Sequence, residues 1–149
     1  MIDRTDGREG LRAEKDLRAA LEAAGHRYTV QRAAVHRALG EMRSHPTADE
    51  IFTAVRRRIP DISLATVYKA LETLVTCDLA LKLPTGDGPA RYDGRTDAHD
   101  HLCCLGCGRV MDVEGGARAD WMDSVDPPAD FEICGYRLVL LGYCGDCRH

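Results

Sequence analysis

Apolar residues recur at helical spacing in four consecutive segments of the first half of the chain. These segments span residues 10–25, 28–42, 45–60 and 62–78. The last three each contain a residue typical of a helix N-cap near their start, namely Thr29, Thr47 and Ser63. Glu50 stands three residues after Thr47, as in a capping box. The pattern therefore predicts four helices joined by short connections.

The pattern changes to short strand-like runs in the second half. "LALKL" and "ARYD" flank the turn-rich "PTGDGP", which predicts a β-hairpin packed beside the helices as a wing. Further strands are predicted from "HLCC", "RVMDVE" and "FEICGYRLVLLGYC", with a short helix over "ARADWMDSV". The predicted fold class is α+β: an N-terminal winged helix-turn-helix domain (residues 1–84), a wing end and hinge (85–98), and a small C-terminal α/β domain (99–149).

Composition and charge narrow the class of protein. The chain has 149 residues, enough for one compact domain or two small ones. It has no run of 18 apolar residues, and its N-terminus is highly charged without an apolar signal core, which predicts a cytoplasmic location. Residues 1–83 carry 14 Lys and Arg against 12 Asp and Glu, whereas residues 84–149 carry 6 against 12. The slight excess of positive charge in residues 1–83 is only weak evidence for nucleic-acid binding.

Four of the seven cysteines form two matched CxxC pairs. Two such turns present four thiolates to one tetrahedral ion, so Cys104, Cys107, Cys144 and Cys147 are predicted to hold a structural zinc in a closed knuckle. A redox dithiol is the alternative, but redox CxxC motifs usually stand alone near a βαβ pattern, which this sequence lacks. The other three are expected to be small core or half-buried residues: Cys77, Cys103 and Cys134.

A second group of metal-ligand residues adjoins the first CxxC motif. His99 and His101 are two positions apart, so a strand places both imidazoles on one face. Asp112 follows on the next strand of the same hairpin, and Asp93 ends the wing. Nitrogen and oxygen donors of this kind suit Fe²⁺, Mn²⁺ or Zn²⁺. By spacing alone, a histidine pair that faces solvent or supports the zinc knuckle is equally consistent with the sequence.

The fourth predicted helix has the features of a DNA-reading helix. One side is apolar, and the other presents Ser63, Ala65, Thr66, Tyr68 and Lys69. A small residue near the start permits close approach to a major groove, and a lysine reaches guanine O6 and N7. Candidate phosphate contacts are Arg27, Arg32 and Arg56–Arg58. The alternative is an ordinary amphipathic helix with a solvated face.

From about residue 16 onward the chain resembles the ferric uptake regulator (Fur) superfamily of bacterial metal-dependent repressors. The resemblance rests on "YTVQRAAV", "HPTADEIF", "ISLATVYKALETL", "ARYD", "HDHLCCLGCGRVMD" and "YCGDC", in the order of the family. It implies a winged-helix DNA-binding domain hinged to a dimerisation domain, and a homodimer that binds a palindromic operator. It also implies a regulatory Fe²⁺ or Mn²⁺ site made of His45, Asp93, His99, His101 and Asp112.

Two departures from the family pattern refine this expectation. A third site seen in some members is expected to be absent, because Ala98 and Tyr136 stand at positions where those members carry histidine. Asp112 stands where uptake regulators usually carry Glu, which resembles the peroxide-sensing (PerR) branch and implies oxidation-sensitive ligands at His45 and His99. The alternatives are an iron- or manganese-uptake repressor with the same site and, from another class, a metal-dependent oxygenase or hydrolase.

Overall fold

The computed structural model describes residues 5–113 and 123–148, with side chains described from residue 12 onward. The chain divides into two compact units, Met1–Thr96 and Asp97–His149. The functional boundaries at residues 84 and 98 stay a prediction. Most of the short helix expected over residues 117–125 lies outside the described residues. No helix in the described part has both the length and the apolar character needed to span a membrane.

The first unit contains the four predicted helices. They are α1 (Thr5–Ala23), α2 (Val30–Glu41), α3 (Ala48–Arg56) and α4 (Leu64–Thr76). All three predicted N-caps are present, because the side chains of Thr29, Thr47 and Ser63 accept hydrogen bonds from backbone N–H groups of the following first turns. The capping box is complete, with the N–H of Thr47 donating to Glu50 Oε2 at 2.7 Å. These caps set where α2, α3 and α4 begin.

Apolar faces of the helices meet in one core. Its fully buried members include Leu21, Val35, Ile51, Val67, Leu71 and Leu74. Spacings of three and four residues place these side chains on one face of each helix, which is why the sequence pattern locates them. Leu64, at the first position of α4, is only half-buried.

The predicted wing is a two-stranded antiparallel hairpin of β1 (Leu81–Leu83) and β2 (Arg91–Asp93). Tyr92 is only 2% exposed and joins the helical core, so the hairpin is anchored through its second strand. A β-bridge between Thr47 and Arg91 adds the α2–α3 loop to the free edge of this strand. The bridge brings the start of α3 next to the wing.

The described residues of the second unit form a three-stranded sheet in the order β4–β3–β5, made of β3 (Asp100–Cys104), β4 (Val110–Val113) and β5 (Val139–Gly142). The pairing is antiparallel between β3 and β4 and parallel between β3 and β5. The strand expected from residue 131 to residue 144 is wrong in length, because only residues 139–142 are paired. β5 pairs with β3 only where β3 offers partners, from His101 to Cys104, so residues 131–138 have no regular structure.

Candidate metal centres and DNA-reading helix

The four cysteines of the two CxxC motifs lie together in the second unit. Their Sγ atoms are all within 4.8 Å of one another, and the Sγ atoms of Cys107 and Cys144 are 3.9 Å apart. A tetrahedral zinc with Zn–S bonds of about 2.3 Å needs sulfur atoms about 3.8 Å apart, so this spacing fits. The cluster therefore suits a structural zinc knuckle.

Two tight turns at the ends of strands create this cluster. Cys104 ends β3, and its C=O accepts from the N–H of Gly108 at 2.8 Å; Cys144 follows β5, and its C=O accepts from the N–H of Cys147 at 3.0 Å. Gly108 has a φ of 69°, which favours glycine. A Cβ on Gly106 would lie 2.7 Å from Cys147 Cβ, so the two turns meet too closely for a side chain there.

Two thiols of the cluster have pKa values that are shifted in opposite directions. Backbone hydrogen bonds, chiefly from the N–H of Cys144 at 3.3 Å, lower the pKa of Cys104 to about 6. The side-chain hydrogen bond with Cys144, together with burial and the neighbouring thiols, raises the pKa of Cys147 to about 12. Four thiolates so close together repel one another unless a cation neutralises them, so this donor set fits a divalent ion.

A histidine–carboxylate pair lies in the first unit. His45 Nε2 is 3.3 Å from Asp93 Oδ2, and both side chains are buried. The other carboxylate oxygen, Oδ1, accepts from the backbone N–H of Arg95 at 2.8 Å, which orients the carboxylate. His45 has a φ of 52°, a left-handed conformation that costs about 1–2 kcal/mol for a residue other than glycine. Local contacts must therefore hold it there.

Arg91 supplies one of those contacts and was not singled out from the sequence. Its Nη1 atom donates to the C=O of His45 at 3.0 Å and lies 3.5 Å from Glu50 Oε2. Alternation along a strand places Arg91 on the same face as Asp93, two positions later. That spacing in "ARYD" was the available signal, but the partner of the arginine depends on a loop 46 residues away.

A second cluster of imidazoles and a carboxylate lies in the second unit. Asp112 Oδ1 is 3.3 Å from His99 Nε2 and 3.5 Å from His101 Nε2. The two imidazole rings have centroids 4.5 Å apart. His101 and Asp112 are directly paired across β3 and β4, so their side chains lie on the same face of the sheet.

The ring orientation of His99 is set by the backbone. Its Nδ1 atom lies 2.7 Å from the C=O of Asp97. A carbonyl only accepts, so Nδ1 carries a proton and Nε2 is the ring nitrogen that faces Asp112. Nε2 is therefore the nitrogen available to a metal ion, with the carbonyl as an outer partner of the ring.

The side of α4 expected to read DNA is accessible. Ser63, Ala65, Tyr68 and Lys69 are exposed, and Thr66 is half-buried with its N–H capped by Ser63 Oγ. Two arginines near the start of α2 are linked, since Arg32 Nη1 donates to the C=O of Arg27 at 2.6 Å. The accessibility permits contact with a groove, and the DNA contacts of individual residues stay a prediction.

Comparison with known proteins agrees with the resemblance drawn from the sequence. A family model described as the ferric uptake regulator family matches residues 23–140. The peroxide-responsive repressor PerR of Staphylococcus epidermidis is 35% identical over 130 residues, which cover 87% of each protein.

Two solved structures share the fold. The peroxide stress regulator of Campylobacter jejuni matches with a TM-score of 0.67 and 26% identity, over 78% of this chain and 88% of that one. The ferric uptake regulator Fur of Helicobacter pylori, which has three functional metal-binding sites, matches with a TM-score of 0.74 over 89% of both chains. At 22% identity the second likeness concerns the fold alone.

Proposed function

Because the chain belongs to the ferric uptake regulator family, we propose that it is a metal-dependent transcriptional repressor, and not an enzyme, that binds a palindromic operator in the cytoplasm as a homodimer. The observation that carries the proposal is the pairing of imidazoles with carboxylates inside each unit: His45 with Asp93, and His99 and His101 with Asp112. Such donors suit a regulatory cation, in contrast to the four thiols of the knuckle.

Two metal ions have different roles in this proposal. A structural Zn²⁺ is held by Cys104, Cys107, Cys144 and Cys147, whose closed shell leaves no position for chemistry. A regulatory Fe²⁺ or Mn²⁺ is held by His45, Asp93, His99, His101 and Asp112. The ion activates DNA binding if it binds the DNA-competent form of the protein more tightly than other forms.

The exposed side of α4 is the proposed DNA-reading surface. Tyr68 is 41% exposed although it lies on a helix with an otherwise well-buried apolar face, which suits an aromatic ring that packs on a base or a phosphate. Lys69 is the proposed base contact, and Ser63, Ala65 and Thr66 lie at the helix start. Arg27 and Arg32 are proposed to contact phosphates and to position the helix.

The proposed dimer uses the edge of the second unit's sheet. β5 is an outer strand in the described part of that sheet, and an outer strand presents unpaired backbone groups that a second copy can use. Its apolar side chains are exposed: Leu140 by 46% and Leu141 by 66%, with Tyr143 beside them at 62%. Exposed apolar groups along one edge favour a self-complementary contact between two copies.

Within the family we propose the peroxide-sensing branch. Asp112 is one methylene shorter than the Glu of uptake regulators and approaches an ion less closely, which would leave room for a peroxide molecule. Iron bound there supplies the oxidising chemistry, and His45 and His99 are the ligands proposed to gain oxygen. The relative in Staphylococcus epidermidis is peroxide-responsive, which supports this choice. The alternative is an iron- or manganese-uptake repressor.

DNA binding is tested with duplexes selected from a random pool by the Mn²⁺-loaded protein. We expect the selected duplex to be palindromic and to bind far more tightly with Mn²⁺ than after chelation. His99→Ala should lose this metal dependence while it keeps one zinc per chain, which separates loss of the regulatory site from unfolding. Equal affinity with and without Mn²⁺ would reject the proposed function.

Peroxide sensing is tested by brief H₂O₂ treatment of the Fe²⁺-loaded and Mn²⁺-loaded proteins, followed by peptide mass analysis. We expect a gain of one oxygen atom in the peptides containing His45 and His99, only with Fe²⁺. Asp112→Glu should reduce this gain and keep repression by Mn²⁺. Unmodified histidines in the Fe²⁺ form would favour an uptake repressor instead.

A further inference from the structure

We propose that Arg91 is a positioning residue that holds His45 and Asp93 ready for a divalent cation. The inference rests on the proposed function, which makes these two residues ligands. It concerns contacts inside the first unit, where the α2–α3 loop meets the second strand of the wing. His45 and Asp93 are 48 positions apart in the chain, so something must keep the loop and the strand in register.

Backbone contacts account for part of this register. The N–H of Tyr92 donates to the C=O of Pro46 at 2.9 Å, and Thr47 bridges to Arg91. These contacts begin one residue after His45, so they do not by themselves constrain its left-handed backbone.

The side chain of Arg91 reaches His45 itself. Its Nη1 atom donates to the C=O of His45 at 3.0 Å, while its strand neighbour on the same face, Asp93, lies 3.3 Å from the imidazole. One face of β2 therefore contacts both the backbone and the ring of His45. The intervening Tyr92 points into the core and anchors the strand.

The carboxylate of Glu50 lies beside the guanidinium. Its Oε2 atom lies 3.5 Å from Arg91 Nη1 and also accepts from the N–H of Thr47 at 2.7 Å. The carboxylate that caps α3 thus lies beside the arginine that holds His45. Arginine suits this place because its planar group carries several donors in fixed directions, which a lysine ammonium does not.

A purely structural role for Arg91 makes different predictions. If the arginine only balances the charge of Glu50 at the start of α3, then Glu50→Gln and Arg91→Gln should have the same consequences. If Arg91 positions His45, Glu50→Gln should leave Mn²⁺ affinity unchanged, because the hydrogen bond from Arg91 to the C=O of His45 remains.

The test measures Mn²⁺ affinity of the zinc-loaded full chain and amide hydrogen exchange of the same protein without Mn²⁺. Arg91→Gln should weaken Mn²⁺ binding by about 10-fold or more, as removal of an outer partner of a ligand does. The Tyr92 amide should also exchange faster in that variant. Arg91→Lys should recover part of the affinity. Lys82→Gln removes an exposed charge from the other strand of the hairpin and should change neither measurement.

The outcomes distinguish this inference from the proposed function. If the parent binds Mn²⁺ and His45→Ala weakens binding, but Arg91→Gln behaves like Lys82→Gln, the positioning role is rejected and the proposed function stands. Equal effects of Glu50→Gln and Arg91→Gln would also overturn it. If the parent itself binds no Mn²⁺, the proposed function fails, and the role of Arg91 towards a cation fails with it.

Discussion

At the scale of single residues, His36 and His45 show how neighbours decide what a histidine does. His45 faces the carboxylate of Asp93, a partner that suits an imidazole that binds a metal ion or carries a positive charge. His36 lies half-buried on α2, and burial lowers its pKa below the ordinary value of 6.5. The sequence marks both residues as histidines on or beside helices, and only their surroundings separate them.

The lowered pKa of His36 predicts a pH dependence of stability. Below about pH 6.5 the unfolded chain binds a proton at this residue before the folded protein does, so the free energy of unfolding falls as the pH falls. His36→Gln should remove this contribution and make the free energy of unfolding depend less on pH between about 7 and 5. Urea denaturation at several pH values measures the slope. An unchanged slope in the variant would contradict the prediction.

At the scale of elements, the starts of the helices depend on residues close in sequence, whereas the knuckle depends on contacts between distant segments. Each N-cap acts within three residues, which is why the starts of α2, α3 and α4 agree with the sequence pattern. The knuckle turns depend on each other. Gly106 lies against Cys147 of the other turn, whereas Gly145 has no positive φ and a Cβ there would meet no atom within 4 Å.

This difference predicts opposite outcomes for two alanine substitutions. Gly106→Ala should lower the zinc content per chain and destabilise the second unit, because the added Cβ would lie 2.9 Å from Cys147 Sγ. Gly145→Ala meets no atom within 4 Å and should keep its zinc. Zinc released by a thiol reagent and measured with a chromogenic chelator checks both. Full zinc content in the Gly106 variant would show that the turns shift easily.

At the scale of the whole molecule, the exposed edge of β5 is the proposed contact between two copies of the chain. An acidic residue on this edge should oppose association, since burial of an unpaired charge is costly. We expect the parent to sediment as two chains of 16.4 kDa and Leu141→Glu to sediment as one. Val30→Glu changes a residue of similar exposure in the first unit and should stay dimeric. A dimeric Leu141 variant would place the interface elsewhere.

The loss of the dimer should also weaken operator binding. Two linked recognition helices bind two half-sites about one helical turn apart, and a monomer makes only half of these contacts. The Leu141 variant should keep its zinc and the metal affinity of each chain. Loss of the dimer with zinc content and metal affinity retained would show that assembly and metal binding are separate properties.

The sequence by itself determined the features that depend on neighbours within a few residues. These are the helical periodicity, the N-caps, the wing and the two CxxC turns, since each is encoded by spacing along the chain. Its ligand types also indicated a structural zinc site, and its resemblance to the ferric uptake regulator family implied a repressor with a second, regulatory metal site.

Only the tertiary structure decided which distant groups meet. The strand predicted from residue 131 was too long because pairing depends on the length of β3, and Gly106 is required because another turn lies against it. Likewise, Arg91 matters because the C=O of His45, 46 positions earlier, comes within hydrogen-bond distance. Spacing along the chain records local geometry, whereas such contacts arise from packing between elements that are far apart in sequence.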